Sequence, residues 1–583
     1  MKLLWKNCKG YYPQLILGPI FKLMEAIFEL MVPLLMANII DIGLKQQNRD
    51  YVIQQGWLLF VLAVLGIVTS LICQYFASVA AFGFGASLRK QVFSHILDLS
   101  SKETDAVGTS GLITRITNDV NLAQNGVNMF IRLATRVPFL LIGSIVMAFQ
   151  IHAGVALVFL VTTPLIMASL YWIMKRTLPD YIRIQQKQDE LGALAGETMT
   201  GARVIRAFSH QKQEQRQFAT AAQKLTDITV AAGRWSGALN PITYLIANLG
   251  IMVILWAGAK LTNQGILLSG DVFALVNYLN QSLLALITMA NLIVQFTRAI
   301  SSMRRLEQLL DTPSSIQSGS QPVPAQGTAS PLLALSHLGF SYTKDRPVLQ
   351  DLNLTVPKGQ TIGIIGGTGC GKSTLAKLLV RFYDATEGEI LFAGTDLRQL
   401  SLPEVRKQIG YVPQNVNLFS GTIRSNLTLA RPDATDDELW EALRIAQAEE
   451  FVLQKPLALD TPVEEGGKNF SGGQRQRLTI ARALVGRPSL LILDDSSSAL
   501  DYATDAALRH SLRTALAGTT VILISQRAAT LQQADQIMVL DGGKMAGLGT
   551  HKELLDQCPV YQEICLSQKL ISTLPTHAKE VQV

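Results

Sequence analysis

The run Gly366-Gly367-Thr368-Gly369-Cys370-Gly371-Lys372-Ser373-Thr374 combines the residue types that hold a phosphate chain. Glycines let the backbone wrap with its N–H groups turned inward, and a helix N-terminus adds partial positive charge. Lys372 has the reach for terminal phosphates, and the Ser373 hydroxyl can hold Mg²⁺. Such a loop needs a strand before it and a helix after it. Thr361-Ile362-Gly363-Ile364-Ile365 reads as a short buried strand, and Leu375-Ala376-Lys377-Leu378-Leu379-Val380 has the apolar spacing of a helix. These residues spell a nucleotide site. Cys370 has two readings: a thiol activated by the helix N-terminus and Lys372, or a small residue tolerated at a variable loop position.

The elements that carry the loop belong to an α/β pattern starting at Leu332. Within it Phe340-Ser341-Tyr342 precedes the loop, Gln414 sits in Gly410-Tyr411-Val412-Pro413-Gln414-Asn415, and Ser471-Gly472-Gly473-Gln474 follows Phe470. Ser489-Leu490-Leu491-Ile492-Leu493 reads as a buried parallel strand ending in the carboxylates Asp494 and Asp495. Ser498-Ala499-Leu500-Asp501 comes next, and a further strand, Thr520 to Ser525, ends at Gln526. Asp311–Pro331 is rich in Pro, Ser, Gly and Gln without apolar period and reads as a linker.

What precedes the linker is a different material. At 583 residues the chain exceeds a single core. Charged residues make up 16% and hydrophobic ones 48%, too apolar for an ordinary soluble protein of this size. Apolar stretches at about 13–40, 56–83, 128–151, 153–174, 240–262 and 271–297 each reach the ~20 residues needed to cross a bilayer. The third and fourth, separated by only a few residues around His152, form a tight hairpin. Residues 1–12, with Lys2, Lys6, Lys9 and Trp5, read as a basic interfacial segment. Lys and Arg crowd the segments 84–127 and 175–235, whereas Leu261–Gly270 has no charge at all, so the two long loops and both termini are expected in the cytoplasm. No signal-peptide pattern is present. The net charge of +7 follows these loops, which argues against a nucleic-acid partner. Five cysteines without paired or metal-like spacing argue against a disulfide scaffold or zinc site.

Polar residues inside the spans are costly unless they face protein or water. Asn277, Gln281, Thr288, Asn291 and Gln295 fall on one helical stripe, fit either to line a substrate cavity or to bond neighbouring helices. Glu25 and Glu29 share a face with Lys22 one turn earlier. They either attract a cationic substrate or pair with Lys22 or with Arg132 and Arg136; pairing is the favoured reading.

The ordered set of phosphate loop, Gln414, Ser471–Gln474, Asp494 and Ser498–Asp501 resembles the nucleotide-binding domain of ATP-binding cassette transporters. Six spans before one such domain resemble an exporter half-transporter of the bacterial multidrug type. Gly111 to Val120 and Gly201 to Phe208 are similar to the family's cytoplasmic-loop sequences, which carry short coupling helices. The resemblance implies an all-α six-helix transmembrane domain (13–310), the linker (311–331), an α/β P-loop nucleotide-binding domain with an α-helical subdomain (332–570) and a tail (571–583). It implies ATP and Mg²⁺ as ligands. Tyr342 would stack on adenine; Ser373, Gln414 and Asp494 would surround the ion, partly through water. Ser471, Gly472, Gly473 and Gln474 would face ATP bound by a partner, and Ser498 and Asp501 would communicate across that dimer.

The chain departs from the family at two catalytic positions. Asp495 stands where Glu usually polarises the attacking water, and Gln526 replaces the switch histidine. The signature is intact except for Phe470 in place of Leu. This asymmetry resembles the degenerate-site subunit of heterodimeric multidrug exporters, so a second half-transporter chain and an amphipathic small-molecule substrate are the expected partners in a cell membrane. A homodimer, a lipid or peptide exporter of the same architecture, and a membrane-tethered ATP-binding regulator are the alternatives. The absence of a protease-like N-terminal extension lowers the peptide reading.

Overall fold

The computed structural model describes residues 7–324, 331–343, 346–496, 499–516 and 518–570. The chain forms two compact units: one comprises the residues up to Leu97 with Gly108–Thr312, the other Asp98–Val107 with everything from Pro313 onward. The boundary therefore does not fall only at the linker. A ten-residue piece of the segment between the second and third expected spans belongs to the second unit.

The first unit is all helical. Its principal helices are α1 (Tyr12–Asn38), α2 (Arg49–Asp98), then, past the second unit's short α3 (Ser101–Val107), α4 (Thr109–Thr114), α5 (Val120–Met129), α6 (Arg136–Ile151), α7 (Ala153–Thr200), α8 (Ala202–Ala207), α9 (Gln211–Gly237), α10 (Leu239–Asn263) and α11 (Ser269–Asp311). Among the described residues six helical segments are long and apolar enough to cross a membrane, and they coincide with the six expected spans. Each is longer than its apolar core, because the polar ends continue as helix beyond it. α6 and α7 are separated only by His152, whose ring Nδ1 accepts from the Val155 backbone N–H at 3.3 Å and so caps α7.

The helices pack through small residues and aromatic plugs: Ala26, Phe159, Ile254, Ala274, Leu275 and Tyr278 are fully buried in one shared core. Apolar side chains alone give no preferred register in lipid, so polar bonds add specificity. Tyr278 donates to the Leu30 carbonyl at 2.7 Å, tying α11 to α1. The α1 end passes into a π-helical turn, Ile39–Leu44, which aims the buried Asp41 at the start of α11. Both of its carboxylate oxygens lie 3.0 Å from the Gly270 backbone N–H. Further along, Arg305 of α11 grips Asp119, which sits in a second π-helical turn, Arg115–Asp119, through bonds of 3.0 and 2.5 Å.

The second unit has two main sheets among its described residues. β1 (Leu333–Thr343), β2 (Arg346–Val356), β4 (Glu387–Phe392) and β5 (Thr395–Asp396) form an antiparallel sheet in the order β2-β1-β4-β5. β3 (Thr361–Gly366), β6 (Ile409–Val412), β9 (Leu490–Asp494), β10 (Thr520–Ile524), β11 (Gln536–Asp541) and β12 (Lys544–Gly549) form the larger sheet in the order β12-β11-β3-β10-β9-β6. All its neighbours run parallel except the β11–β12 hairpin. Parallel strands buried on both faces read as unbroken apolar runs, and β9 and β10 are buried along their whole length. The small β7 (Gly421–Thr422) and β8 (Pro462–Val463) pair beside a helical region. That region includes α15 (Asp436–Ile445), opened by a Thr435–Glu438 capping box, and α17 (Gly472–Val485).

The linker is held rather than free over its described part. Gly319 N–H donates to the Leu400 carbonyl at 3.0 Å, Gln321 N–H to Gln399 at 3.1 Å, and Ser401 N–H to Gln321 at 2.7 Å. Composition alone misreads this stretch, because its partners are backbone groups distant in sequence. The expected tail, 571–583, and residues 1–6 lie outside the described residues.

Candidate functional site

β3 delivers the glycine-rich run to the C-terminal edge of the parallel sheet, and α12 (Lys372–Leu379) leaves from it. Glycine is required at two points. A Cβ on Gly366 would lie 2.1 Å from the Leu540 carbonyl oxygen, and Gly371 has φ +102° with a virtual Cβ 2.5 Å from Leu349. Lys372 is turned into the loop, its ammonium donating to the carbonyls of Gly366 at 2.8 Å and Gly367 at 2.7 Å. Cys370 Sγ is 3.6 Å from the same nitrogen and the residue is only 6% exposed. Cys370 thus points inward beside Lys372 and offers little surface to a reagent.

The strand ends converge on one point. Ser373 Oγ donates to Asp494 Oδ1 at 3.1 Å, and Gln414 Nε2 lies 3.4 Å from Asp495 Oδ2. Hydroxyl, carboxylate and amide oxygens are the hard donors that Mg²⁺ takes, and they stand together here without a competing soft ligand. Burial pushes the Asp494 carboxyl above the usual carboxylate range; the Ser373 bond pulls against this, while neighbouring Asp495 reinforces it. Tyr411, half-buried on β6 and near Asp494, has its hydroxyl pushed up to about 12, chiefly by desolvation. A bound cation would relieve both carboxylates. Asp495 has φ +48°, a left-handed conformation that Asp tolerates better than most residues, and its N–H is fixed to the Ile524 carbonyl at 2.9 Å. Gln526, just past β10, is exposed, and its carbonyl accepts from Gln568 Nε2 at 2.7 Å.

Tyr342 lies at the other end of the loop. Its ring is 44% exposed, and its hydroxyl is 3.3 Å from Thr374 Oγ1. An exposed aromatic face beside the phosphate cradle is suited to a nucleobase.

Ser471 caps α17: its Oγ accepts from Gln474 N–H at 3.3 Å while Gln474 Oε1 accepts from Ser471 N–H at 3.1 Å. The cap is solvent-facing, and the helix behind it is 14 residues long, enough to present a positive end to an anion. Asp501 caps α18 (Tyr502–Ala515) through Thr504, whose backbone N–H it accepts at 2.9 Å. That local task is sufficient to account for an aspartate there. Ser498 lies outside the described residues.

In the spans, Lys22 Nζ is 2.6 Å from Glu25, and Arg136 is 2.7 Å from Glu29. Each of these glutamates thus faces a basic side chain, Lys22 for Glu25 and Arg136 for Glu29. Gln281 donates to the Glu29 carbonyl at 3.2 Å and faces Ser144 Oγ at 3.4 Å. Asn277 and Thr288 bond back to Phe273 and Leu284 of their own helix, at 2.9 and 2.8 Å. Asn291 and Gln295 are exposed. The stripe thus divides: Gln281 joins helices, Asn277 and Thr288 bond within α11, and Asn291 and Gln295 are exposed.

Sequence reading missed α3. The signal was present in Ser100-Ser101-Lys102-Glu103, a capping-box pattern, and the Ser100 hydroxyl does bond Glu103. It also missed Tyr383, whose partners come from remote segments.

Comparison with known proteins places these features in context. The family model described as the ABC transporter transmembrane region matches residues 15–286, and that described as ABC transporter matches 349–498. An uncharacterized ABC transporter ATP-binding protein of Mycobacterium tuberculosis is 35% identical, with 98% of this chain and 99% of that protein aligned. A multidrug efflux ATP-binding/permease protein of the same species is 30% identical over 96% of this chain, which spans 47% of that longer protein. The solved structure of a bacterial Atm1-family ABC exporter with ATP bound superposes with a TM-score of 0.79 at 25% identity, covering 98% of this chain and 99% of that one.

Proposed function

Because the chain belongs to the ABC transporter family and joins that family's transmembrane region to its ATP-binding cassette, we propose that it is one subunit of a heterodimeric, ATP-driven exporter of amphipathic compounds. The cassette of this family uses ATP with Mg²⁺. Lys372 and the loop amides would bind the phosphates, Ser373, Asp494 and Gln414 would hold the ion, and Tyr342 would receive the base. When bound, the ion neutralises charge developing on the transferred phosphoryl group.

The observation that carries the heterodimer is the contrast between two parts of one chain. Asp495 and Gln526 are short of what hydrolysis needs, whereas Ser471–Gln474 is an intact, outward-facing helix start. In this reading the chain retains ATP at its own site and lends its signature to a partner's hydrolytic site. ATP shared by two cassettes binds the closed arrangement better than the open one, which is the differential affinity that any coupled conformational change requires. The basic loops support a cytoplasmic cassette and cytoplasmic termini. The 30% identity to a multidrug efflux protein supports small amphipathic cargo.

Vesicles containing this chain and a second half-transporter encoded beside it, one with Glu and His at the two positions, should show ATP-dependent, vanadate-sensitive dye efflux. Rapid hydrolysis by the purified chain alone as a homodimer would overturn the heterodimer. Tight ATP binding without transport of dye, lipid or peptide by either assembly would favour the regulator.

A further inference from the structure

β10 runs parallel beside β3 with Ile524 opposite Ile364, so Gln526 emerges on the same edge of the sheet as the glycine-rich loop. The segment Ser525–Ala528 that carries it leads into the short α19 (Ala528–Leu531) and is held from two sides. Ser525, 1% exposed, donates its N–H to the Ile364 carbonyl at 3.1 Å, and its Oγ accepts from the Arg527 N–H at 3.0 Å. Gln568 reaches over from the other side. Its Nε2 donates to the Gln526 carbonyl at 2.7 Å, and its Oε1 accepts from the Ala528 N–H at 2.8 Å. The Gln526 carbonyl and the Arg527 N–H are opposite edges of one planar peptide unit. That plane is therefore clamped at both edges, by Gln568 at the carbonyl and by Ser525 at the amide. Clamping it fixes ψ of Gln526, and with it the direction of an exposed side chain.

Gln568 itself stands on a packed base. It follows α21 (Pro559–Ser567), and its own N–H donates to the Ile564 carbonyl at 3.2 Å. Tyr561 and Cys565 of α21 are fully buried in the core that also holds Ala528 and Leu531 of α19. α20 (His551–Gln557) braces α21: His551 Nδ1 and Tyr561 Oη are 2.7 Å apart, and Gln562 Nε2 donates to the Leu555 carbonyl at 2.7 Å. A primary amide suits the task, because it presents a donor and an acceptor side by side. A carboxylate would only accept and an ammonium would only donate.

We propose that Gln568 is a positioning residue for the ATP site: by holding the Gln526–Arg527 peptide it keeps the Gln526 amide aimed at the terminal phosphate of ATP. The helix pair α20 and α21 is thereby a working part of that site, although it lies far along the chain from the phosphate loop. The inference rests on the reading that Gln526 occupies the switch position beside the γ-phosphate. ADP lacks that phosphate, so the device favours ATP over ADP rather than nucleotide in general. A neutral amide has no long-range pull on an anion, unlike an imidazolium, and contributes only through a short, aligned bond. Glutamine at this place therefore needs its backbone fixed more strictly than a charged residue would.

The test uses the full chain in lipid nanodiscs with Mg²⁺ and ribose-labelled fluorescent ATP and ADP, and reads the ratio of the two Kd values. Gln526→Ala should lower the preference for ATP by about ten- to a hundredfold, the worth of one hydrogen bond to a charged group, with ADP affinity within about twofold of wild type. Gln568→Ala should lower the same ratio by about three- to tenfold, again sparing ADP. Gln568→Glu keeps the size and the acceptor but sets a carboxylate oxygen against the Gln526 carbonyl, so it should act like Gln568→Ala; a packing role alone would be satisfied by this isostere. Gln568→Ala combined with Gln526→Ala should cost no more than Gln526→Ala alone, because the first acts through the second. A wild-type ratio in both Gln568→Ala and Gln568→Glu would overturn the proposal, as would equal losses for ATP and ADP in both, which mark loosened packing. Unchanged preference in Gln526→Ala would remove the γ-phosphate contact and the inference with it. A lowered preference there, with wild-type ratios in both Gln568→Ala and Gln568→Glu, would reject the positioning role alone.

Discussion

Replacing Asp495 by Glu should speed ATP hydrolysis by this chain. The Asp495 carboxylate is one C–C bond short of the family's Glu, about 1.5 Å. The backbone cannot make up this distance, because the Asp495 N–H is held by the Ile524 carbonyl at 2.9 Å and the residue sits at φ +48°. Its neighbour is equally fixed, with Asp494 bonded to Ser373 at 3.1 Å. A base misplaced by ~1 Å loses about 10²-fold in rate, or about 2.7 kcal/mol of barrier. Asp495→Glu, combined with Gln526→His to add a side chain that can carry positive charge, should therefore raise kcat by about 10- to 100-fold with little change in KM, since only the transition state gains. Steady-state phosphate release from the purified chain measures it. Asp495→Asn in the otherwise wild-type chain is the control and should alter the rate by less than about twofold if Asp495 contributes little as a base. A tenfold fall in that control, or no gain from the double variant, would show that the carboxylate is already in place and would refute the reasoning.

The raised pKa of Asp494 gives a pH dependence of defined sign. Its protonated form is favoured by the fold, so that contribution to stability is present at low pH and lost as pH rises through the folded pKa, while Mg²⁺ requires the ionised form. Mg²⁺-dependent ATP binding should weaken on acidification from neutral pH, and titration of the full chain with Mg²⁺ at several pH values should lose that trend in Asp494→Asn. Arg305→Ala strips the partner from Asp119, whose side chain is 3% exposed. Breaking a buried pair costs ~3–5 kcal/mol, and because the guanidinium is 45% exposed the expected loss here is about 2 kcal/mol, read from thermal unfolding in detergent. Alkylation of Cys370 should be slow in the free chain and slower with MgATP, because the thiol faces inward against Lys372; labelling unaffected by nucleotide would place it outside the site.

The nucleotide site was legible because its chemistry is local: Gly366 through Thr374 form one continuous run, and the strand ends that supply Asp494 and Gln414 are apolar segments with a polar residue at the tip. The six spans were equally plain, since crossing a bilayer demands a length and a composition that few other tasks require. What sequence could not show were partners chosen across large separations. Arg305 finds Asp119 at 186 positions' remove, and Tyr383 finds Asp105 at 278. Each of these residues reads locally as an ordinary surface or helix position. The linker failed for the same reason, its polar composition masking backbone bonds to Leu400 and Gln399.

The buried Asp41 reaching over to Gly270 has a further consequence. A single carboxylate clasps the starting amide of α11 with both oxygens, so the two helix ends cannot drift apart by small increments without stranding an anion away from water. Separation there is abrupt: the ends are either fastened or fully solvated. A barrier of that kind makes the junction of α1 and α11 two-state, since a half-parted seam is the least stable configuration along the way.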